Sequence, residues 1–232
     1  MLNSTITIKV KQRLNKLDSN DYDNIECWMI VEAFNKAQVE WARRQLHGMN
    51  LMKEGDEQST RRIDDLQALL VTDNLILTDK VDHFSAAVPI DYLQWKRVDA
   101  FAKKDCCENR RMVVYLVEEA NLNLLLRDKS KQPSFEWSET FATLQGNKLN
   151  IFTNQDFEID KSEFVYYRQP RKIQIKGCSN PYTQVQSTTD VISEFKDDIV
   201  ELIIDETVSV LAGDIESMSQ FSRGTDTAER NN

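Results

Sequence analysis

Residues 141 to 152 read FATLQGNKLNIF, and this stretch decides the fold class that the sequence predicts. Its apolar halves are separated by the Gln-Gly-Asn turn signal at 145 to 147. Further short β-rich runs follow at 163 to 167 and at 172 to 175. Because no helix-length segment separates these runs, they predict an antiparallel β module rather than a βαβ array.

The predicted module extends toward the N-terminus. Residues 98 to 102 and 112 to 117 read as strands, joined by the polar stretch 103 to 111 as a long hairpin tip. A proline just before residues 90 to 95 favours one or two helical turns there. The β-rich region is therefore predicted to cover residues 71 to 176.

Helices are predicted on both sides of this module. Residues 24 to 47 lay one apolar stripe along a helix, through Ile30, Ala33, Phe34, Ala37 and Trp41. Gly48 is placed to take the left-handed conformation that ends a helix. We therefore expect an α+β fold with long N-terminal and C-terminal helices and a central antiparallel β module.

The expected domain organisation follows from these elements. We expect a single domain over residues 1 to 211, which is helical over 1 to 70 and ends in a helix over 190 to 211. Residues 212 to 232 are polar and predict a flexible tail.

The predicted C-terminal helix has an unusually wide apolar surface. Its acidic residues fall in one arc at about 100° per residue, and most of the remaining circumference is apolar. A surface helix needs an apolar stripe only about 100° wide, and this helix has about twice that. Either it lies deep within its own domain or its second flank contacts another subunit. The interface candidates on it are Ile199, Val200, Ile204, Val208 and Leu211.

The sequence context of two arginines and four tryptophans indicates their roles. Arg168 and Arg171 lie where a predicted strand ends at a proline, and they join the interface candidates although a structural role is favoured. Core packing is the expected role of most of the tryptophans, Trp28, Trp41, Trp95 and Trp137, with interface anchoring as the alternative.

Charge and cysteine usage exclude several classes of protein. The 232-residue chain has a net charge of −9, and its last 43 residues hold eleven acidic and three basic residues. An acidic end repels phosphate and disfavours a DNA-gripping protein. No apolar run approaches the roughly 20 residues of a membrane span, and no secretory signal is present. We expect a protein used in a cytosol, with the four cysteines, none in C-x-x-C spacing, reduced.

Catalytic motifs are missing from the sequence. It contains no phosphate-binding, nucleophile-elbow, zinc-protease or EF-hand pattern, so we predict no catalytic, cofactor-binding or metal residues, no cofactor and no enzyme. The alternative of a hydrolase or metal-dependent enzyme rests on an acidic cluster around one histidine, formed by Asp79, Asp82, His83 and Asp91.

The order of the segments resembles the neck or ring proteins of crAss-like tailed bacteriophages of Bacteroidetes hosts, a head-tail connector class of virion structural proteins. The resemblance covers residues 6 to 220. The stretches that carry it are IVEAFNKAQVEWARRQL (30 to 46), PIDYLQWKRVDA (89 to 100), FVYYRQPRKIQIKG (164 to 177) and EFKDDIVELIIDETVSVLAGDIESMSQ (194 to 220).

The resemblance implies a non-enzymatic subunit of a homo-oligomeric ring, a dodecamer, located in the virion neck and made in the bacterial host cytoplasm. The implied partners are the phage portal protein and neighbouring neck or tail ring proteins, with double-stranded DNA only as non-specific cargo and no membrane. An acidic lining would let DNA slide, and the acidic arc faces either that lumen or solvent. The alternative is a cytosolic phage assembly or protein-interaction module that is not retained in the virion.

Overall fold

The computed structural model describes residues 1–14, 25–50, 53–105, 107–182, 184–214 and 225. The chain divides into two compact units. The helical unit is built from both ends of the chain, Met1–Ala68 and Pro170–Asn232, and the sheet unit is Leu69–Gln169. The division into two compact units does not test whether residues 1 to 211 form a single domain, so that expectation remains a prediction.

Five α-helices and ten strands lie in the described ranges. The helices are α1 (Asn3–Arg13), α2 (Cys27–Leu46), α3 (Thr60–Leu66), α4 (Leu122–Arg127) and α5 (Asp197–Asp214). The strands are β1 (Leu70–Asn74), β2 (Thr78–Asp79), β3 (His83–Ala87), β4 (Tyr92–Lys104), β5 (Cys107–Leu116), β6 (Glu139–Gln145), β7 (Lys148–Phe152), β8 (Glu158–Arg168), β9 (Ser179–Asn180) and β10 (Val185–Gln186).

The sheet unit overturns the predicted fold class. Strands β1 to β8 form one eight-stranded sheet in the order β1-β8-β4-β5-β6-β7-β3-β2. The sheet is mixed, because β5 and β6 are parallel whereas the other neighbours are antiparallel. A large mixed sheet therefore dominates the fold, and the predicted fold class, long terminal helices around a small central antiparallel module, is wrong.

The long strand β4 explains part of this difference. It runs through the predicted helical turns at 90 to 95 and into the predicted hairpin tip. The ring of Tyr92 lies 5.7 Å from that of Phe164 on β8, and the ring of Trp95 lies 5.4 Å from it. Aromatic side chains pack well across neighbouring strands, so cross-strand packing prevails over the local helix-start signal of the proline.

The sheet curls until its two edges come close together. Strands β1 and β2 are the opposite edges of the sheet, yet only residues 75 to 77 join them. Such a link spans at most about 14 Å. Register shifts in the pairing of β4 with β5 and β8 supply bends. The result is a partly open barrel.

Small and large apolar side chains fill the inside of this barrel. Alternate residues of β4 point inward, and three of them, Val98, Ala100 and Ala102, are buried. They meet Met112 from β5 and other side chains of one cluster, which includes Phe84, Val114, Ala142, Leu149, Ile151, Ile159 and Phe164. The alanines allow neighbouring strands to curve around the larger side chains.

Buried Tyr166 ties the edge strand β1 to the barrel. Its hydroxyl lies 2.8 Å from Asp73 Oδ2 on β1 and 3.0 Å from Asp91 Oδ1, and donates its one proton to either carboxylate. Burial and these two acids raise the pKa of Tyr166, so the phenol keeps its proton. The edge strand is thus fixed by side chains as well as by its backbone ladder to β8.

We predict that Tyr166→Phe lowers the free energy of unfolding by about 1 to 3 kcal/mol, because it removes a buried hydrogen bond to a charged acceptor. Urea unfolding of both proteins measures the difference. Tyr115→Phe is the matched control, since Tyr115 is 52% exposed. Equal losses in the two variants would contradict the role assigned to the Tyr166 hydroxyl.

The helical unit is organised around α5, which contacts both α1 and α2. The predicted helix over 24 to 47 is confirmed by α2, whose apolar stripe is buried, and Gly48 takes the left-handed conformation with φ +67°. Trp41 on this stripe is 1% exposed and packs edge-on against Phe195, 5.2 Å between ring centres. The predicted C-terminal helix begins at Asp197 rather than at 190.

The run at 172 to 175 is not the strand that its pattern predicts. The Asn35 amide on α2 accepts a hydrogen bond from the backbone N–H of Ile173 at 2.8 Å and donates one to its carbonyl at 3.3 Å. Gln38 Nε2 donates to the carbonyl of Arg171 at 3.0 Å. Amide side chains of a helix therefore take the place of a neighbouring strand.

The cysteines differ from the expected reduced thiols. Cys27, at the start of α2, and Cys178 form a disulfide with 151 residues of sequence separation. Cys107 is exposed and Cys106 lies outside the described residues. The prediction of reduced thiols is wrong for Cys27 and Cys178. The spacing of cysteines along the chain does not indicate a contact between residues so far apart in sequence.

Glu206 is a buried acid in the helical unit. It is 6% exposed and forms an ion pair with Arg44 of α2. Burial raises its pKa from 4.5 to about 7, with Glu40 adding to the rise and Arg44 opposing it. The folded chain therefore holds a proton on Glu206 in a pH range where the unfolded chain has released it.

We predict that stability falls as the pH rises from 4.5 to about 7, because the raised pKa favours the folded state only while Glu206 is protonated. The full change is about 3 kcal/mol, at 1.36 kcal/mol per pKa unit. Urea unfolding across this range should show a shallower decline for Glu206→Gln than for Glu32→Gln, an exposed control on α2. Identical slopes would refute the assignment.

Candidate interaction surface

The apolar interface candidates lie inside the chain. Ile199, Val200, Ile204, Val208 and Leu211 are each between 0% and 5% exposed. Burial of this wide apolar surface fits the first of the two alternatives, a helix deep within its own domain. Most of the predicted tail, residues 212 to 232, lies outside the described residues. Thr225 is described, and its hydroxyl lies 3.0 Å from the hydroxyl of Ser209 on α5.

Two acidic residues of α5 bind two basic residues of α1. Glu201 pairs with both Lys9 and Arg13, and Arg13 Nη1 lies 2.7 Å from Asp205 Oδ1. Burial alone would raise the pKa of Glu201, but Lys9 and Arg13 lower it below its ordinary value. Glu201 and Asp205 therefore face a neighbouring helix rather than the lumen or solvent considered from the sequence.

The two arginine candidates differ in exposure. Arg168 at the end of β8 is half-buried, and its Nη1 donates to the carbonyl of Gln169 at 3.3 Å. Arg171 in the helical unit is exposed, while its backbone N–H donates to Glu194 Oε1 at 2.9 Å. Their place in an interface stays a prediction.

The residues of the alternative enzyme hypothesis take part in separate contacts. Asp91 is bound to Tyr166, Asp82 Oδ1 accepts from Gln155 Nε2 at 3.0 Å, and the His83 ring lies 5.3 Å from that of Phe152. In the described part of the chain, no group of three or more His, Cys, Asp or Glu is arranged to hold a metal ion. None of the described helices combines the length and apolarity that a membrane crossing requires.

A different surface, in the sheet unit, exposes large apolar side chains. Val113 and Tyr115 alternate on β5 and are 51% and 52% exposed, and Trp137 is 79% exposed. The backbone N–H of Val113 donates to the carbonyl of Ser138 at 2.8 Å, which brings the tryptophan turn beside β5. We call Val113, Tyr115 and Trp137 the β5 surface.

Trp137 lies in a tight turn that is closed by its own backbone. The N–H of Ser134 donates to the carbonyl of Glu139 at 3.0 Å, and the N–H of Glu139 donates back at 3.2 Å. Ser138 takes the left-handed conformation with φ +58°, which a non-glycine residue adopts only where the surroundings hold it. The turn therefore presents the indole from a defined backbone.

Arg110 of β5 clamps this turn from the side. Its Nε donates to Ser138 Oγ at 2.6 Å, and its Nη2 donates to the carbonyl of Glu136 at 2.7 Å. The guanidinium also lies over the ring of Phe135, 5.0 Å from its centre. Three contacts of one planar group thus orient the segment that carries Trp137.

The base of the turn is anchored in the barrel. Phe135 is 5% exposed, its backbone N–H donates to Asp156 Oδ2 at 3.0 Å, and its ring lies 6.2 Å from that of Phe157. Lys104 Nζ lies 2.6 Å from Asp156 Oδ1. Burial would raise the pKa of Asp156, but the Lys104 ammonium and the Phe135 amide lower it, which keeps the carboxylate charged.

Two open surface pockets both have Lys104 and Asp156 in their lining. One of about 950 Å³ is lined by Asp79, Lys80, Lys103, Asp105, Glu108 and Glu158, among other residues. The other, of about 550 Å³, is lined by Lys129, Gln132, Glu136 and Trp137, among others. Their rims mix both signs of charge, which suits the polar border around an interface anchor.

No protein-family model and no curated protein matches this chain.

Sequence reasoning missed Trp137 and Arg110. Core packing is the expectation for most of the tryptophans, and it does not hold for Trp137, which is 79% exposed, whereas Trp41 is buried. The available signal was local, because the polar residues Ser134, Glu136, Ser138 and Glu139 surround the tryptophan. A large aromatic residue among turn formers indicates an exposed anchor.

We predict that Arg110→Ala loosens the turn without unfolding the barrel, because the arginine is exposed and its bonds are local. Hydrogen exchange at Ser138 and Glu139 should become faster, while global stability falls by only about 0.5 to 1.5 kcal/mol. Arg127→Ala at the exposed end of α4 is the control. Unchanged exchange in the turn would show that the clamp is unnecessary.

Proposed function

We propose that this chain is a non-enzymatic virion structural protein, a subunit of a homo-oligomeric ring in the neck, or head-tail connector, of a tailed bacteriophage. It lies between portal and tail and contributes to genome retention and DNA passage. The observation that carries the proposal is the exposed indole of Trp137 on a turn that Arg110 clamps. An oriented, exposed tryptophan is a typical anchor of a protein interface.

The requirements of a ring support this proposal. Contacts in a closed ring are heterologous, so each copy offers two unlike surfaces to its two neighbours. The β5 surface supplies one of them. The helical unit exposes apolar side chains of its own, namely Leu2, Ile8, Ile63 and Ile192. In the proposed ring, a neighbouring copy covers exposed apolar side chains of this kind.

The charge of the chain supports a role in which DNA passes without being held. With a net charge of −9, phosphate is repelled rather than neutralised. The proposal does not depend on Glu201 and Asp205 as a lining, since both pair with α1. Portal protein and neighbouring ring proteins are the proposed partners, in a virion assembled in the bacterial cytoplasm.

Assembly with the portal tests the proposal. Co-expressed with the portal protein of the same phage, the chain should form particles detectable by negative-stain microscopy and mass photometry. A dodecamer of the 27.0 kDa chain has a mass of about 320 kDa. We predict that Trp137→Ser weakens assembly at least tenfold, whereas Trp137→Phe keeps most of it, because the phenyl ring retains an aromatic anchor.

The outcomes separate the function from the surface. A chain that stays monomeric in the presence of portal protein contradicts the ring. If Trp137→Ser assembles at the wild-type level, the β5 surface is not an interface of the ring, but the ring function itself is not contradicted. Mass spectrometry of purified virions distinguishes the alternative, because an assembly or protein-interaction module would be absent from finished particles.

A further inference from the structure

The hairpin of β9 and β10 is a small, separately bonded part of the helical unit. Two backbone hydrogen bonds close its ladder: the N–H of Gly177 donates to the carbonyl of Ser187 at 2.9 Å, and the N–H of Ser187 donates to the carbonyl of Cys178 at 2.9 Å. Gln186 Nε2 donates to the carbonyl of Gly177 at 2.9 Å. A two-stranded hairpin of this size is only marginally stable by itself in water, so it depends on its contacts with the rest of the helical unit to stay ordered.

The base of the hairpin is fixed. Gln174 and Val191 exchange backbone hydrogen bonds, and Asn3 Nδ2 donates to both of their carbonyls, at 2.8 and 3.1 Å. Gly177 follows with φ +84°, a conformation open to glycine and strained for other residues. Gly177 therefore serves as the hinge, and a swing about it breaks the hydrogen bond that spans it, from the N–H of Cys178 to the carbonyl of Ile175 at 3.1 Å.

Side-chain contacts between described residues join the hairpin to the start of α2. One is the disulfide between Cys27 and Cys178. The other is the edge-on contact of Trp28 and Tyr182, whose ring centres are 5.7 Å apart. A hollow of about 260 Å³ lies beneath, with Trp28 and Cys178 in its lining together with Val31, Ile175 and Val185. The hairpin therefore covers apolar side chains of α2.

We propose that this disulfide is a reducible latch, which holds the hairpin over the start of α2 when oxidised and lets it swing away about Gly177 when reduced. The proposal is independent of the ring function. Release uncovers Trp28 and Val31 and opens the hollow beneath.

The chemistry needs a dithiol as reductant. One thiolate of the dithiol attacks Sγ of Cys27, which is the half-exposed member of the pair, whereas Cys178 is 6% exposed. The Sγ–Sγ bond breaks, a mixed disulfide forms, and Cys178 leaves as a thiolate that takes up a proton. The second thiol of the reductant then displaces Cys27, leaving two protein thiols and the oxidised, cyclised dithiol.

Hydrogen exchange of the full-length protein, with and without dithiothreitol, tests the latch. We expect reduction to speed exchange at residues 178 to 187 about tenfold or more, with no change in the sheet unit or in α5. Removal of the dithiol and reoxidation should restore the slow exchange. The double variant Cys27→Ser, Cys178→Ser should exchange fast under both conditions, and Cys107→Ser should behave as the wild type.

Two results overturn the proposal. Unchanged exchange at 178 to 187 after alkylation has shown both thiols reduced means that other contacts hold the hairpin. Faster exchange throughout the helical unit means that the disulfide is a structural staple of the whole unit. Reduction of the unaltered chain is the primary measurement, so the test stands even where the double variant fails to fold.

Discussion

The pairing of β1 with β8 is the interaction on which the rest of the fold depends. Leu70 lies opposite Tyr167, so the chain leaves the sheet unit beside the point where it entered. The helical unit is made of segments on either side of Leu69–Gln169, and it needs no long flexible loop to join them. Closing a loop costs entropy that grows with the logarithm of the loop length. Because the β1–β8 ladder already holds the two segments close together, the helical unit does not have to close a loop of 101 flexible residues.

Within the helical unit, packing and ion pairs hold the two chain segments together. The apolar flanks of α5 are buried among α1 and α2, and ion pairs join Arg13 to Glu201 and Asp205. Each bond has one partner before the sheet unit and one after it. The wide apolar surface of α5 and its acids Glu201 and Asp205 therefore form contacts within the helical unit.

Elements that depend on nearby residues could be predicted from the sequence. The apolar stripe of α2 and the turn at 145 to 147 between β6 and β7 are local signals, and both elements are confirmed. The packing of Tyr92 on Phe164, the parallel pairing of β5 with β6 and the disulfide join residues far apart. A single sequence records no such pairing, so the fold class and the state of two cysteines were missed.

The candidate surface follows from the one parallel pair in the described sheet. Parallel neighbours cannot be joined by a tight turn, so the chain must cross from the end of β5 to the start of β6 through residues 117 to 138. That crossover carries α4, with Leu124 69% exposed, and the turn of Trp137. It returns beside β5, where Arg110 binds it. The topology that makes the sheet mixed therefore also places an oriented tryptophan on its outside.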